Sequence, residues 1–254
     1  MYKRLVPLDP ARHAKLGVAP LTDYGFARAT LSVPVVIDEI ADVAREYPIV
    51  FPKQGNMPVA LMGVEAGSNA YVGPDGQWRA TYVPASLRTY PFAAARASVS
   101  PDAEAAEPRI VVAIDEASPL VQEDEGAPIF GNEGQPAGPA AAAVALLRRL
   151  RAAGPRTEAL VQAIDAAGLL IEQPIRIRAE GRQGREITGI RVLNEGALNA
   201  LSADAFEALR KAGTLPLIYA ALLSWANFRR GPIGKSHPLA RSGAGQARGD
   251  TVKF

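Results

Sequence analysis

Short apolar runs, each bounded by proline or glycine, fill the first half of the sequence and limit the regular structure that it can form. The chain of 254 residues contains 21 prolines and 23 glycines. Runs at residues 49–51, 59–64 and 69–72 have the length and flanks of buried strands. The sequence Gly73-Pro74-Asp75-Gly76 predicts a tight turn, after which apolar and polar residues alternate over residues 78–82. We therefore predict antiparallel hairpins within a β meander.

Helical spacing of apolar residues, together with capping residues, marks out longer segments. These signals predict about five helices: one that follows Ser32 and ends at Tyr47-Pro48, two at residues 140–153 and 157–167, one at residues 202–213 and one at residues 215–230. Gly154-Pro155 separates the second helix from the third, so we expect these two to form a helical hairpin. Alternation over residues 175–179 and 190–192 predicts a second β-hairpin.

The composition is that of a folded globular protein, with 48% hydrophobic and 21% charged residues. The pattern as a whole predicts an α+β fold in which an antiparallel β meander and hairpins pack with about five helices. We expect one large domain over residues 1–230, with a possible internal boundary near residues 99–108, where few apolar residues occur. Residues 231–254 lack apolar periodicity and are expected to form a flexible tail.

Residue counts exclude or disfavour several classes of protein. The chain has no cysteine, which excludes disulfides, thiolate zinc sites and cysteine nucleophiles. Lys and Arg number 28 against 26 for Asp and Glu, so no strong positive field is available to hold nucleic acid. The first ten residues do not resemble a secretory signal peptide, and the most apolar stretch, residues 215–223, is about half the length that a bilayer requires. We expect a soluble cytoplasmic protein without a transmembrane segment.

Residues that could carry catalysis or hold a metal or cofactor are sparse. His13 and His237 are far apart in sequence and have no ligand-like spacing around them, so we expect no metal site. Gly234-Lys235-Ser236 lacks the preceding glycine of a phosphate-binding loop, and residues 131–138 lack a dinucleotide-binding glycine pattern. The sequence predicts no cofactor and offers no catalytic residue.

Aromatic and arginine side chains are the strongest candidates for binding. Trp78, Arg88 and Tyr90 are the candidates from the densest group of such residues in the chain, and these residue types are enriched at protein interfaces. The other members of the group are Arg79, Tyr82 and Phe92. Trp225 lies on the apolar helix predicted for residues 215–230. For both groups, burial in the core is the alternative to a contact surface.

An acidic stretch follows the strand that is predicted for residues 109–114. It extends from Asp115 to Glu125. Paired carboxylates could bind a cation or work as acid and base, although their spacing matches no calcium loop. A solvated acidic loop is the alternative.

Six short motifs follow one another along the chain. They are Tyr24-Gly25-Phe26, Tyr47-Pro48-Ile49-Val50-Phe51, Pro58-Val59-Ala60-Leu61-Met62-Gly63, Asp75-Gly76-Gln77-Trp78, Val83-Pro84-Ala85 through Arg88-Thr89-Tyr90-Pro91-Phe92, and Leu217-Ile218-Tyr219-Ala220 with Ser224 and Asn227. Their joint order and spacing over residues 2–230 resembles the SapC family. The resemblance implies a bacterial protein of a family named for an association with surface arrays, or S-layers. It implies no particular reaction and no catalytic residues.

Two classes of function follow from these observations. The lack of a nucleophile–base pair or metal cluster favours a non-catalytic binding or assembly component of a bacterial surface or uptake system, acting through a protein partner or self-association. The alternative is an enzyme or enzyme subunit that uses residues such as Asp115 and Arg88 on a small molecule or peptide brought by a partner. A deep polar pocket at either residue would favour the enzyme, and a broad exposed apolar patch would favour assembly.

Overall fold

The computed structural model describes residues 1–96, 110–123, 125–179 and 182–236. Within these ranges the strands are β1 (Leu5–Pro7), β2 (Leu16–Val18), β3 (Ser32–Pro34), β4 (Ile49–Pro52), β5 (Val59–Leu61), β6 (Phe92–Arg96), β7 (Ile110–Asp115), β8 (Val121–Glu123), β9 (Ala127–Pro128), β10 (Leu170–Glu172), β11 (Ile175–Ala179), β12 (Arg182–Ile187) and β13 (Ile190–Leu193). The helices are α1 (Pro10–His13), α2 (Ile40–Glu46), α3 (Ala85–Arg88), α4 (Gly138–Ala166), α5 (Glu195–Asn199), α6 (Ala203–Lys211), α7 (Leu215–Ser224), α8 (Asn227–Arg230) and α9 (Pro232–Ser236). Strand pairing is antiparallel in every described sheet, which confirms the α+β prediction.

The described chain forms two compact units. The first takes residues 1–27, residues 74–77 and the described part of 85–152, and the second takes the remainder. Each unit is therefore assembled from segments that are distant in sequence. One large domain over residues 1–230 stays a prediction, because two compact units can belong to one domain. The predicted boundary near residues 99–108 lies outside the described residues.

The first unit holds two three-stranded antiparallel sheets, with the strand orders β1-β7-β6 and β8-β2-β9. β7 confirms the strand predicted for residues 109–114, displaced by one residue. Its inner end supplies Ile114, which is fully buried and pairs with Val6 of β1. Small side chains at Ala140 and Ala143 let the first turns of α4 pack closely on this core.

The second unit holds a five-stranded antiparallel sheet with the strand order β10-β13-β4-β5-β3. The strands predicted at residues 49–51 and 59–64 are confirmed as the neighbours β4 and β5, in which Ile49 faces Ala60. β4 is buried along its apolar run because it lies inside the sheet and α7 packs on it. Leu217 and Ile218 supply the buried face of α7.

α4 continues through Gly154-Pro155, where the sequence predicts a break. The helical hairpin expected from residues 140–153 and 157–167 is therefore wrong. Pro155 lacks the amide hydrogen of a helical residue, and apolar burial on the same helix offsets this cost. The buried apolar residues after the proline are Leu160, Val161 and Ile164. The Thr157 hydroxyl also donates a 2.8 Å hydrogen bond to the carbonyl of Ala153, one turn earlier.

Two differences concern the first third of the chain. The helix expected after Ser32 begins later, as a 3₁₀ turn over Ile37–Glu39 that continues into α2 at Ile40, because residues 32–34 form the edge strand β3, where Pro34 is tolerated. Its predicted end is confirmed, with Tyr47 as the C-cap. Residues 69–72 do not form the expected strand, and a single bridge between Val72 and Trp78 replaces the predicted hairpin.

The hairpin predicted from residues 175–179 and 190–192 has a different second strand. β11 pairs with β12, and β13 joins the five-stranded sheet between β10 and β4. Val192 and Leu193 are buried there, whereas a hairpin with β11 would take them out of the sheet. The apolar pair at the end of β13 therefore decides which strands it joins.

Among the C-terminal helices, local signals predicted α6 correctly but did not predict α5. Ser202 caps α6 by accepting a 3.2 Å hydrogen bond from the amide of Ala205, as expected. The helix expected over residues 215–230 is divided into α7 and α8. The Ser224 hydroxyl donates to the carbonyl of Ala221 at 2.6 Å and accepts from the amide of Ile49 at 2.9 Å, so it competes with the helical bonds at this point.

The tail expected over residues 231–254 requires a correction. Its first part forms α9, in which Ile233 is 1% exposed. A buried isoleucine gives this short helix the apolar anchor that the periodicity did not reveal. Residues 237–254, the rest of the expected tail, lie outside the described residues. In the part of the chain that is described, no helix has both the length and the hydropathy needed to span a bilayer.

Candidate functional site

Arg88 and Tyr90 are placed together in the first unit by α3 and the turn that follows it. Tyr90 is buried, and its ring stacks on Phe26 with 3.8 Å between the ring centroids and 4° between the planes. Arg88, the last residue of α3, is exposed. Both residues line one cavity of about 540 Å³. The structure thus brings these two predicted binding residues to the same place.

Apart from the side chains of Arg88, Thr89 and Tyr90, the walls of this cavity are apolar. They include Leu21, Phe92, Ala142, Ala143 and Leu146. Burial raises the pKa of Tyr90, and a hydrogen bond with Ser118 only partly opposes this, so the phenol stays protonated at neutral pH. The cavity can hold an apolar group beside a guanidinium, while its one ionisable hydroxyl is no base.

Trp78 lies in the second unit and is held by a tyrosine network. Its indole nitrogen donates to the Tyr47 hydroxyl at 2.8 Å and to the Tyr82 carbonyl at 3.2 Å. The Tyr47 hydroxyl donates in turn to the same carbonyl. The ring of Tyr71 stacks on Tyr47 with 4.4 Å between centroids. Burial raises the pKa of Tyr47 and of Tyr71, so both stay neutral, and the network fixes a half-buried Trp78 in place.

Trp225 also lies in the second unit, directly after α7. It is half-buried and packs against Phe228 with 5.0 Å between ring centroids. The exposed apolar residues of this region lie on α7 itself. Tyr219 is 46% exposed and Leu223 is 73% exposed. Since these two residues are four positions apart, they lie on the same face of the helix.

A groove of about 690 Å³ in the second unit begins at Leu223 and is lined by α2, residues 79–80 and the helices α7 to α9. We call it the cationic groove. Its charged lining residues are Arg45, Glu46, Arg79, Arg230 and Lys235. Alanines on α2, on α7 and at the N-cap of α8 keep the groove open. They are Ala41, Ala44, Ala220 and Ala226.

The charges of the cationic groove do not neutralise one another. The Glu46 carboxylate accepts hydrogen bonds from the amides of Thr81 and Tyr82 at 2.9 and 2.6 Å. Arg45 forms a 3.3 Å ion pair with Asp42. Within the described ranges, no ion pair engages the other three cations, which are Arg79, Arg230 and Lys235. The groove therefore presents an excess of positive charge beside an exposed leucine.

Asp115 is enclosed by backbone amides. Its side chain is fully buried and accepts hydrogen bonds from the amides of Lys3, Arg4 and Ala117 at 3.0, 2.7 and 3.3 Å. These bonds tie the start of β1 to the end of β7. The carboxylate is therefore saturated by backbone donors, which suits a structural role better than acid–base chemistry. Glu125, the other end of the acidic stretch, is exposed.

Glu116 binds three cationic or histidine side chains. Arg12 donates to it at 2.6 and 2.9 Å, Arg4 approaches to 3.1 Å, and His13 lies 2.9 Å away through Nε2. His13 is 1% exposed, and its Nδ1 accepts from the amide of Asp9 at 3.0 Å, which assigns the ring proton to Nε2. The hydrogen bonds from Arg12 and then from His13 lower the pKa of Glu116.

The remaining motifs have structural explanations. Gly234-Lys235-Ser236 lies within α9 rather than in a loop that cradles phosphate. In the segment before α4, the amides of Gly131 and Gly134 are bonded to carbonyls of the same turn. In the described ranges, no group of three or more His, Asp or Glu side chains is arranged to hold a metal ion.

Sequence reasoning did not find Arg230 and Lys235 as members of a site. Arg230 stood at the predicted end of a helix, and Lys235 stood in the expected tail. Pro232 directly after Gly231 is the signal that could have revealed α9, because proline is favoured at the first helical position. Arg79 was part of the predicted aromatic and arginine group, and the structure brings it to the groove.

Comparison with known proteins gives one match. The sequence model of the SapC family matches residues 8–230. No curated protein and no solved structure matches the chain. The matched region includes β2, the five-stranded sheet, the cavity at Arg88 and most of the cationic groove. The chain therefore belongs to the SapC family.

Proposed function

We propose that this chain is a non-catalytic binding component that holds an acidic, partly apolar segment of a protein partner in the cationic groove. The observation that carries the proposal is Leu223, which is 73% exposed at the edge of a groove that contains four cations. Large apolar side chains at such positions serve as interface anchors, and flanking arginines select acidic partners.

Tyr219 and Leu223 supply the apolar part of the proposed contact. Both are exposed on the same face of α7, and the opposite face is fixed in the core by Leu217 and Ile218. The helix is therefore rigid before binding, which reduces the entropy lost on association. A partner segment with an apolar side chain on this face can place its carboxylates at Arg79 and Arg230.

Charge also argues against a second copy of the chain as the occupant. A symmetric dimer through this face would bring its four cations against the same four cations. Like charges across an interface oppose association, so an acidic partner fits better than self-association.

The enzyme alternative has less support from the same structure. The Asp115 carboxylate is saturated by backbone amides, and the cavity at Arg88 is apolar with a neutral phenol. A binding function therefore agrees better with the residues present than catalysis does. As part of the same proposal, the protein acts in the cytoplasm of a bacterium and serves a surface or uptake system, the setting from which its family takes its name.

A peptide display experiment tests the proposed occupant. A random peptide library selected on the full chain is expected to enrich sequences that combine Asp or Glu with large apolar residues. The affinity of the best enriched peptide is then measured by fluorescence anisotropy. We expect Leu223→Ser, and Arg79→Gln with Arg230→Gln, each to weaken it at least about tenfold, as for hot-spot residues. Raised salt should weaken it further.

Arg210→Gln is the matched control. Arg210 is an exposed cation of the same unit that pairs with Glu207 on α6 and does not line the groove. Its removal should leave the peptide affinity unchanged. Selection of basic or charge-free peptides, or equal binding by the Leu223→Ser chain, would contradict the proposal. Concentration-dependent self-association that is lost in Leu223→Ser would instead make a second copy the occupant.

A further inference from the structure

A separate cavity of about 500 Å³ lies in the first unit, between the sheet β1-β7-β6 and α4. Apolar residues form most of its lining: Leu8, Pro10, Ala94, Ile110, Val111, Val112, Phe130, Pro136, Val144 and Leu147. Leu8, Val112, Phe130 and Leu147 also pack against the buried core of the unit. The floor of the cavity is thus the outer layer of the core, and its position is fixed by the fold.

The chemistry of this lining selects an apolar occupant. Its volume lies within the range of about 300–1,000 Å³ that is typical of small-molecule sites. Aliphatic and aromatic walls offer few partners to a polar molecule, which would lose hydrogen bonds with water on entry. An apolar chain would instead be removed from water on all sides that touch the walls.

Two arginines give the cavity a polar end. Arg148 and Arg151 are exposed, line the cavity and lie three positions apart on α4, so their guanidinium groups share one face of the helix. Within the described ranges neither has an ion-pair partner. Val144 and Leu147 lie on the same face one turn earlier. The face therefore changes from apolar to cationic along the cavity.

We infer that this cavity binds a small free amphiphile that has one apolar chain and an anionic head, such as a medium-chain carboxylate. The chain lies on the wall formed by Leu8, Val112 and Phe130. The head lies between the two guanidinium groups, which bind carboxylates through paired, charge-assisted hydrogen bonds. The inference is independent of the cationic groove, which lies in the other unit and shares no residue with this cavity.

The test compares decanoate with decanol, which have the same chain and differ in the charge of the head. Binding of each to the full chain is measured by isothermal titration calorimetry at neutral pH. We expect decanoate to bind saturably with one molecule per chain and about tenfold more tightly than decanol, as one charge-assisted contact provides. In the variant with Arg148→Gln and Arg151→Gln, this difference should disappear while decanol still binds.

Arg149→Gln is the matched control, because Arg149 is exposed on the same helix and does not line the cavity. It should keep the preference for decanoate.

Ala94→Phe tests the cavity itself, because Ala94 is at an exposed position in the wall. This variant should abolish binding of both ligands while the thermal unfolding midpoint is kept. Equal affinities of the natural chain for both ligands, or an equal loss in Arg149→Gln, would overturn the inference. So would binding only to phosphatidylglycerol vesicles, which would make a membrane lipid the ligand.

Discussion

Two adjacent carboxylates at the end of β7 show how partners decide what a residue does. Asp115 is buried and bonded to three backbone amides, whereas Glu116 is bonded to the side chains of Arg12 and His13. The first fixes the chain path near Arg4. The second joins α1 to the end of the strand. The same acidic stretch therefore supplies two structural contacts rather than one paired acid and base.

Glu116→Gln should lower stability at neutral pH and have a smaller effect in acid. The pKa of Glu116 is lowered in the folded protein, chiefly by the hydrogen bonds from Arg12 and then His13. A lowered pKa contributes stability that is complete above the unfolded value of about 4.3 and is lost as the pH falls through the folded value. Urea unfolding midpoints from pH 7 to pH 3 should therefore converge for the two chains.

Glu125→Gln is the control for this comparison, because it removes an exposed carboxylate from the same stretch. Its midpoint should follow that of the natural chain at every pH. If the urea midpoint of Glu116→Gln differs from that of the natural chain by the same amount down to pH 3, the charge of the carboxylate is not what stabilises the contact.

Residue types predicted which residues could belong to a functional site. Contacts between segments that are distant in sequence decided which of these residues come together. Arg88 and Tyr90 were predicted as members of one aromatic and arginine group with Trp78; these two line one cavity of the first unit, whereas Trp78 lies in the second unit. The partners of Asp115 could not be predicted, because Lys3 and Arg4 are more than a hundred positions away. No local pattern records such a contact, since backbone amides of any residue type can supply it.

At the scale of elements, capping residues and apolar runs were sufficient to predict a helix or strand whose bounds depend on local signals alone. α6 begins after Ser202 and ends before Gly213, whose φ of 75° favours glycine, as the sequence predicts. The strand β4 likewise follows from its apolar run. The local rule failed at Gly154-Pro155, because burial of the second half of α4 outweighs the helix-breaking preference.

Pro155→Ala should stabilise the protein, because α4 forms in spite of the proline and not because of it. Pro155 is exposed in the helix interior, so alanine restores a main-chain donor without changing buried contacts. The proline costs about 3 kcal/mol relative to alanine in an unconstrained helix, and we expect a gain of about 1–3 kcal/mol in the free energy of unfolding. Chemical denaturation measures it.

Gly154→Ala tests the other residue of the same dipeptide, and its expected effect is smaller. A Cβ at Gly154 meets no atom within 4 Å outside its chain neighbours and its own helix backbone. When Gly154→Ala is combined with Pro155→Ala, which removes the proline ring that would clash with this Cβ, only backbone freedom changes, and we expect a further gain of about 0.5–1 kcal/mol. A destabilised Pro155→Ala chain would mean that the proline sets a bend on which α4 depends.

For the whole molecule, the sequence predicted the fold class but not the composition of the two units. Residues 74–77 belong to the first unit although both flanking segments belong to the second. Such an exchange depends on contacts between distant segments, for which hydrophobic periodicity carries no information. The start of the expected tail was also misplaced, because the single buried isoleucine of α9 is too little to produce a periodic signal.

The contribution of α9 to the stability of the fold can be tested by truncation. Removal of the chain after Arg230 deletes Ile233, whose burial contributes about 1.5–3 kcal/mol, and should lower the thermal midpoint by about 3–12 °C. α9 is also tightly packed, since a Cβ at Gly234 would collide with the carbonyl of Phe228. Truncation after Ser236 should leave the midpoint unchanged, as the sequence predicts for residues 237–254.

Ile233→Ala in the full chain separates the buried side chain from the rest of α9. It should destabilise by about 2–3 kcal/mol, comparable to truncation after Arg230, because the isoleucine anchors the helix. Because Lys235 lines the cationic groove, the same variant should also weaken peptide binding there. A thermal midpoint that is unaffected by truncation after Arg230 would show that α9 contributes nothing to the stability of the fold. Pro232 and Lys235 would then not be fixed as part of the cationic groove.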